Sequence, residues 1–261
     1  MWELYDELIG GIPQDYRVDE AFVGPYWTMV RSGAGMGLAM TLRDATRPSV
    51  LSLPVDGDSY NGLPLAELAA AAKSWNLTEA SAGVAAINAY WNSPEREAVQ
   101  KALGGGDSEA FSAWRERAAG KKVAVIGHFF RLEKTLGQVC ELSILERRPA
   151  AGDYPDSACE YLLPTQDFVF ATGVTLVNKT LTRLLELSGN TGLILTGPSV
   201  PLAPPLFNRG VIDLQGFVVT DPDRCAAIIR GNAACGGRAE MSAVPFLEAG
   251  KRVGLTKAQV T

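Results

Sequence analysis

The sequence predicts an α/β protein in two parts: an N-terminal α+β domain over residues 1–106 and a C-terminal parallel-sheet domain over residues 107–261. Three observations carry this expectation. After Lys121, short apolar runs of strand length alternate with helical stretches, the pattern of parallel strands joined by right-handed crossovers. Before Gly104 the chain reads instead as a helix, two strands and then several helices. Between these regions, Gly104-Gly105-Gly106-Asp107 ends one helical pattern and offers a cap, Asp107 or Ser108, to the next.

The elements follow in order. Met1–Ile9 reads as an amphipathic helix stopped at Gly10-Gly11. Val18–Val30 and Gly35–Leu42 read as a hairpin, with Trp27, Met29 and Val30 packing inward and Arg31-Ser32-Gly33-Ala34 turning the chain. Leu65–Lys73 is a helix after Pro64. Thr78–Trp91 is a second helix, and its alanines (Ala82, Ala85, Ala86, Ala89) let it lie close to its neighbours. Pro94–Leu103 is a third, with proline at its start. Ser108–Ala118 leads into the second domain. There Lys122–Ile126, Ser143–Leu145, Phe168–Ala171, Leu193–Thr196 and Gly216–Val219 read as strands. The intervening helices are Leu132–Gly137, Leu176–Leu187 and Pro222–Ile229. The continuous apolar run at Lys122–Ile126 suits a strand covered on both faces. The second domain is thus Rossmann-like in its alternation, and in such sheets ligands bind just beyond the carboxyl ends of the strands.

Composition removes several classes of function. A length of 261 residues, with 47% hydrophobic, supplies a core for one large or two modest domains. A net charge of -5 gives no bulk attraction to phosphate backbones, so no nucleic-acid partner is expected. The chain has no apolar run of about 18 residues, so no membrane-spanning helix is expected. The start, Trp2-Glu3-Leu4-Tyr5-Asp6-Glu7, is acidic rather than basic, which points to a cytoplasmic protein without a secretory signal. Cys140, Cys159, Cys225 and Cys235 form no CxxC pair and read as buried thiols. One histidine, His128, rules out a site built from several imidazoles of one chain.

The informative residues are those at the strand ends. Gly127-His128-Phe129-Phe130-Arg131 follows the first strand and departs from GxGxxG, so NAD(P) binding is not supported. Gly127 lets backbone amides approach a ligand. His128 has a near-neutral unperturbed pKa and reads either as an acid–base group or as a surface histidine. Glu146 ends the second strand, where Rossmann domains place an acid on ribose hydroxyls. It reads equally as a partner of Arg147 or Arg148. Thr172, Gly173, Thr175 and Asn178 cluster where a helix begins and suit an anion, although Thr175 also reads as a plain N-cap. Gly197-Pro198-Ser199 forms a proline-stiffened loop. Ser199 lacks both a GxSxG setting and a nearby histidine in sequence, so it reads as an orienting hydroxyl rather than a nucleophile. Asn88, on the alanine-rich helix, reads as a buried amide that bonds either a neighbouring backbone or a ligand in a cleft between the domains. Arg31 and Arg43, near strand ends, read as anion partners or solvated cations.

The order Gly127-His128-Phe129, Glu146, Thr172-Gly173-Val174-Thr175-Leu176-Val177-Asn178-Lys179-Thr180-Leu181 and Gly197-Pro198-Ser199-Val200-Pro201-Leu202 resembles the prokaryotic family described as "putative heavy-metal chelation". The resemblance covers nearly the whole chain. It implies an enolase N-terminal-like leading domain, a Rossmann-like second domain and a site in the cleft between them. A chelator of soft metals would gather thiolates or imidazoles, and this sequence does not. Hard-cation binding through Glu146 and hydroxyls is chemically open.

The sequence therefore supports a small-molecule-binding protein with an anionic or heterocyclic ligand, and leaves open whether it is an enzyme. The alternative is a non-catalytic carrier of a metal or metallophore. A nucleotide-cofactor enzyme is the weakest reading. A metal ion is an open cofactor assignment, and homo-oligomerisation an open partner assignment.

Overall fold

The computed structural model of the chain describes residues 2–33, 35–43, 47–48, 59–107, 109–189, 191–232 and 247–259. The first part contains α1 (Glu3–Gly10), β1 (Glu20–Val23), β2 (Trp27–Ser32), β3 (Gly35–Met40), α2 (Leu65–Ala70), α3 (Leu77–Trp91) and α4 (Glu97–Gly104). The second contains α5 (Ala110–Ala118), β4 (Lys122–Ile126), α6 (Leu132–Thr135), β5 (Glu141–Glu146), β6 (Tyr154–Pro155), α7 (Cys159–Leu162), β7 (Phe168–Thr172), α8 (Val174–Val177), α9 (Leu181–Ser188), β8 (Gly192–Thr196), β9 (Val211–Val219), α10 (Pro222–Asn232) and β10 (Gly250–Thr256).

The protein is a mixed α/β structure with a three-stranded antiparallel sheet and a seven-stranded, mostly parallel one. The large sheet runs β10-β9-β8-β7-β4-β5-β6. Counted from β4, its parallel strands follow the doubly wound order 3-2-1-4-5-6. β10 adds to β9 antiparallel, from Gly250↔Val219 to Thr256↔Asp213. The order reverses at β4, the kind of point at which sheets of this type bind ligands beyond their carboxyl edge.

Helix α3 organises the first part. Asn76 caps it through Oδ1, which accepts from Thr78 N at 3.2 Å and Glu79 N at 3.4 Å. It is buried along almost its whole length, because its small residues admit backbone on two sides. A Cβ at Gly37 of β3 would collide with the backbone of Ala85 and Ala89, and one at Gly83 with Ala72. The expectation that small residues bring this helix close is met, with glycines on both partners. One apolar cluster then runs from Leu4, Leu8 and Val84 to Leu145, Leu193 and Leu214, so the two parts share a core.

The structure revises several boundaries. The expected strand Val18–Val30 is two strands, broken at Gly24-Pro25. Gly24 N donates to Trp27 O at 2.9 Å in a tight turn, and the sheet is a three-stranded meander rather than a hairpin. The turn after β2 includes Gly33 at φ 55°, and Ala34 lies outside the described residues. The expected helix start at Pro94 moves to Glu97. The cap of α5 is Glu109, whose carboxylate accepts from Phe111 N and Ser112 N at 3.2 and 2.8 Å. Asp107 instead pairs with Arg252 of β10, and Ser108 lies outside the described residues. The expected helix Leu176–Leu187 is two. Asn178 Oδ1 accepts from Thr180 N at 3.1 Å and Thr180 Oγ1 at 2.7 Å, and Lys179 takes a left-handed φ of 66°, which stops α8 and restarts the chain as α9. The sequence reading missed β6 and β10.

Candidate functional site

The loops after β4 and β5 bring Gly127, His128 and Glu146 together. Gly127 has φ 103°, a left-handed backbone that favours glycine, and its N–H donates to Leu145 O at 2.8 Å. Glu146 then fastens the loop. Its Oε2 accepts from His128 N at 3.1 Å, and its Oε1 from Arg147 N at 2.8 Å and Arg148 N at 3.3 Å. The carboxylate therefore sets the backbone course of both strand ends, and its four lone-pair sites are not exhausted by three donors.

His128 projects from this frame between two carboxylates. Nδ1 lies 2.9 Å from Asp153 Oδ2, and Nε2 lies 3.3 Å from Glu133 Oε1. The Asp153 side chain is only 3% exposed and also accepts from Ala150 N at 2.9 Å, so it fixes the ring. Its hydrogen bond raises the imidazole pKa. Partial burial opposes that, and the charges of Asp153, Glu133 and Glu146 add to the rise. Beside the ring a cavity of about 710 Å³ is lined by His128, Phe130, Arg131, Glu133 and Lys134. Arg131 holds a left-handed φ of 67°, and the Phe130 ring is 72% exposed. A non-glycine residue in this region stores on the order of 1 kcal/mol of strain, the kind of feature that clusters at ligand sites.

The remaining residues singled out from the sequence divide by position. Thr172 and Gly197 lie beside the loop after β4: a Cβ at Gly127 would lie 3.3 Å from Thr172 Cγ2, and one at Gly197 would lie 3.9 Å from the Phe129 ring. Pro198 is half-buried beside them. Thr175 is buried and donates to Thr172 O at 2.7 Å. Gly173 packs on the backbone of Ser199 and Val200 and donates its N–H to Thr196 O at 3.0 Å. Val174 N is bonded to Thr172 Oγ1 at 3.3 Å. The amides of Gly173 and Val174, at the start of this single turn, are thus used within the fold. Ser199 is buried, its hydroxyl accepting from Met40 N of β3 at 2.9 Å. Asn88 donates Nδ2 to Leu38 O at 2.7 Å. Arg31 pairs with Asp223 at 2.7 Å, and Arg43 donates to Pro25 O at 3.3 Å.

The sequence reading missed Asp153, Glu133 and Arg131. Asp153 lies in Gly152-Asp153, a turn signal between β5 and β6, and that is the one cue that could have pointed to it. It also missed Lys179, whose Nζ donates to Val177 O at 2.7 Å and whose pKa burial lowers to about 8.

Fold and site together define a two-part α/β protein with a candidate small-ligand site at the carboxyl edge of its large sheet. The chain belongs to the DUF364 family, described as "Putative heavy-metal chelation", whose model matches residues 109–244; a second model of the same description, DUF4213, matches residues 5–91. A crystal structure of a DUF364 protein of unknown function from Desulfitobacterium hafniense is similar over 98% of this chain and 99% of that one, with 42% identity and a TM-score of 0.83. Another, from Pyrococcus horikoshii, has a TM-score of 0.76 at 22% identity, over 97% and 98% of the two chains, which is a likeness of fold. An uncharacterised protein of Methanocaldococcus jannaschii is 28% identical over 85% of this chain and 86% of its own length.

The family's description implies a heavy metal, and the donor set does not fit a resident one. Soft metals select thiolates and imidazoles. Burial pushes the Cys225 thiol up to about 12 and that of Cys159 to about 11, and Cys140 upward too. Cys235 lies outside the described residues. Both nitrogens of His128 face carboxylates. Among the described residues no three His, Cys, Asp or Glu side chains gather as a metal-holding group. No helix of the described residues is long and apolar enough to cross a membrane.

Proposed function

We propose that the protein binds a small anionic or heterocyclic molecule at the carboxyl edge of the large sheet, between the loops after β4 and β5. The observation that carries this reading is the His128–Asp153 pair, held by a buried carboxylate beside an open cavity. A ring fixed in this way presents one defined face, and its raised pKa favours the protonated form beside the two carboxylates. Arg131 and Lys134 supply positive charge for an anion, and the Phe130 ring supplies a stacking face. Gly127 and Glu146 hold the loop in its course. Thr172 and Gly197 lie beside Gly127 and Phe129, and the leading domain reaches the Gly197–Ser199 loop through Met40. A link to metal chelation would then run through the bound molecule, the metal arriving as a complex.

Native mass spectrometry of the chain purified without denaturation tests this, with His128→Ala beside the wild type. A discrete organic adduct is expected on the wild type and lost in the variant. An adduct that survives the substitution, or a stoichiometric metal with no organic mass, overturns the assignment.

A further inference from the structure

The face of the large sheet covered by α5 carries two polar side chains that the site above does not use. Asp213 and Gln215 stand two residues apart on β9 and so point to one face. They are only 4% and 7% exposed. The surroundings are aromatic, with Trp114 of α5 packed edge-on against Phe168 and Phe170. Asp213 Oδ2 accepts twice, from Trp114 Nε1 at 2.7 Å and from Gln215 Nε2 at 2.8 Å. Asp213 Oδ1 and Gln215 Oε1 are both buried acceptors without a donor. Gly254, opposite Gln215 on β10, makes room for the amide, since a Cβ there would lie 2.7 Å from Nε2.

Two bare acceptors in an apolar site are costly, and an ionised carboxylate there costs more. One proton relieves both. An O–H at Oδ1 donates to Gln215 Oε1, while Oδ2 remains the carbonyl oxygen that accepts from Trp114 and Gln215. We infer that Asp213 and Gln215 form a neutral acid–amide pair, closed by a proton on Asp213 at neutral pH, which pins Trp114 of α5 to β9.

The charged groups around the pair are few. Arg117 of α5 lies over the Trp114 ring at 4.3 Å. β8 offers Ile194 and Thr196 opposite Asp213 and Gln215. β10 offers Thr256 and, two registers on, Arg252, which is paired with Asp107. Burial raises the Asp213 pKa, against the hydrogen bonds from Trp114 and Gln215, a weaker one from the Leu214 backbone, and the charge of Arg117. With the folded value above the unfolded one, the pair's stabilisation is complete below the ordinary carboxylate range. It is lost as pH rises through the folded value.

The test is infrared difference spectroscopy of the full chain at pH 7–8 with thermal melting across pH. A protonated-carboxyl C=O band is expected in the wild type and absent in Asp213→Asn. That variant replaces the acid by an amide able to make the same bonds, so it should melt roughly 2–4 °C higher than wild type at alkaline pH and lose the wild type's pH slope. Should Asp213→Asn fail to fold, Gln215→Leu should still shift the band by removing its acceptor. Absence of the band in the wild type, or a melting point raised by sodium, potassium or magnesium in the wild type but not in Asp213→Asn, assigns the bare oxygens to water or a cation and overturns the inference.

Discussion

Asn92 is expected to be the polar residue on which docking of the two parts most depends. It stands at the carboxyl end of α3, 2% exposed, and spans the junction with three bonds. Nδ2 donates to Val200 O at 2.9 Å and Phe217 O at 3.2 Å, and Oδ1 accepts from Leu202 N at 2.8 Å. Asn92→Ala leaves the Leu202 N–H without this acceptor and removes one donor from each of the Val200 and Phe217 carbonyls. Carbonyls retain other acceptor sites, so the loss is dominated by the Leu202 N–H and comes to on the order of 3 kcal/mol. For a chain of this size that is roughly 6–12 °C in Tm. Asn88→Ala is the internal control. Asn88 makes a single bond, to Leu38 O, and its Oδ1 has no partner, so truncation should cost about a third as much. Denaturant unfolding of the full chain measures both. An Asn92→Ala variant within about 1 kcal/mol of wild type, or an Asn88→Ala variant that costs more, would refute the reasoning.

Two further outcomes follow from the same geometry. His128 is the one histidine, so its ring protons titrate in an NMR spectrum without assignment work. Its folded pKa is raised, so its contribution to stability is fully present below the unfolded value of about 6.5 and is lost as pH rises through the folded value. Asp153→Asn should move the midpoint downward, and an unmoved midpoint would detach the two residues. Gly37→Ala should leave little folded protein in a thermal melt, because its Cβ meets the backbone of α3 rather than a side chain that can turn away; wild-type melting would contradict that packing.

What was legible in the sequence was what local pattern determines. The run Lys122–Ile126 fixes a buried strand by apolar continuity, and the structure gives the same five residues. The alanines and glycine of α3 signal close packing without naming the partner. What pattern does not reveal is how tertiary bonds redistribute polar side chains. Asn88 and Asn92 lie one helical turn apart and look alike in sequence. The second bridges both parts, and only the course of the Val200–Leu202 segment makes it do so. Thr175 and Ser199 sit at strand ends, where ligand contacts are expected, yet the Thr175 hydroxyl bonds its own turn at Thr172 O and that of Ser199 takes the Met40 N–H of β3.

The same redistribution bears on how a family described by metal chelation relates to this site. A side chain is available to a ligand only to the extent that the fold has not used it. The thiols of Cys159 and Cys225 are buried and held protonated, and the hydroxyls of Thr175 and Ser199 are bonded inward. The side chains lining the cavity at the switch point are an imidazole, two cations, the carboxylate of Glu133 and an exposed aromatic ring. On the proposed reading these groups serve hydrogen bonding, charge and stacking toward an organic molecule, and the one soft-metal ligand among them, the imidazole, has both nitrogens against carboxylates. No three His, Cys, Asp or Glu side chains gather as a metal-holding group among the described residues, so on the proposed reading a metal reaches this site with a coordination sphere supplied largely by the molecule that carries it.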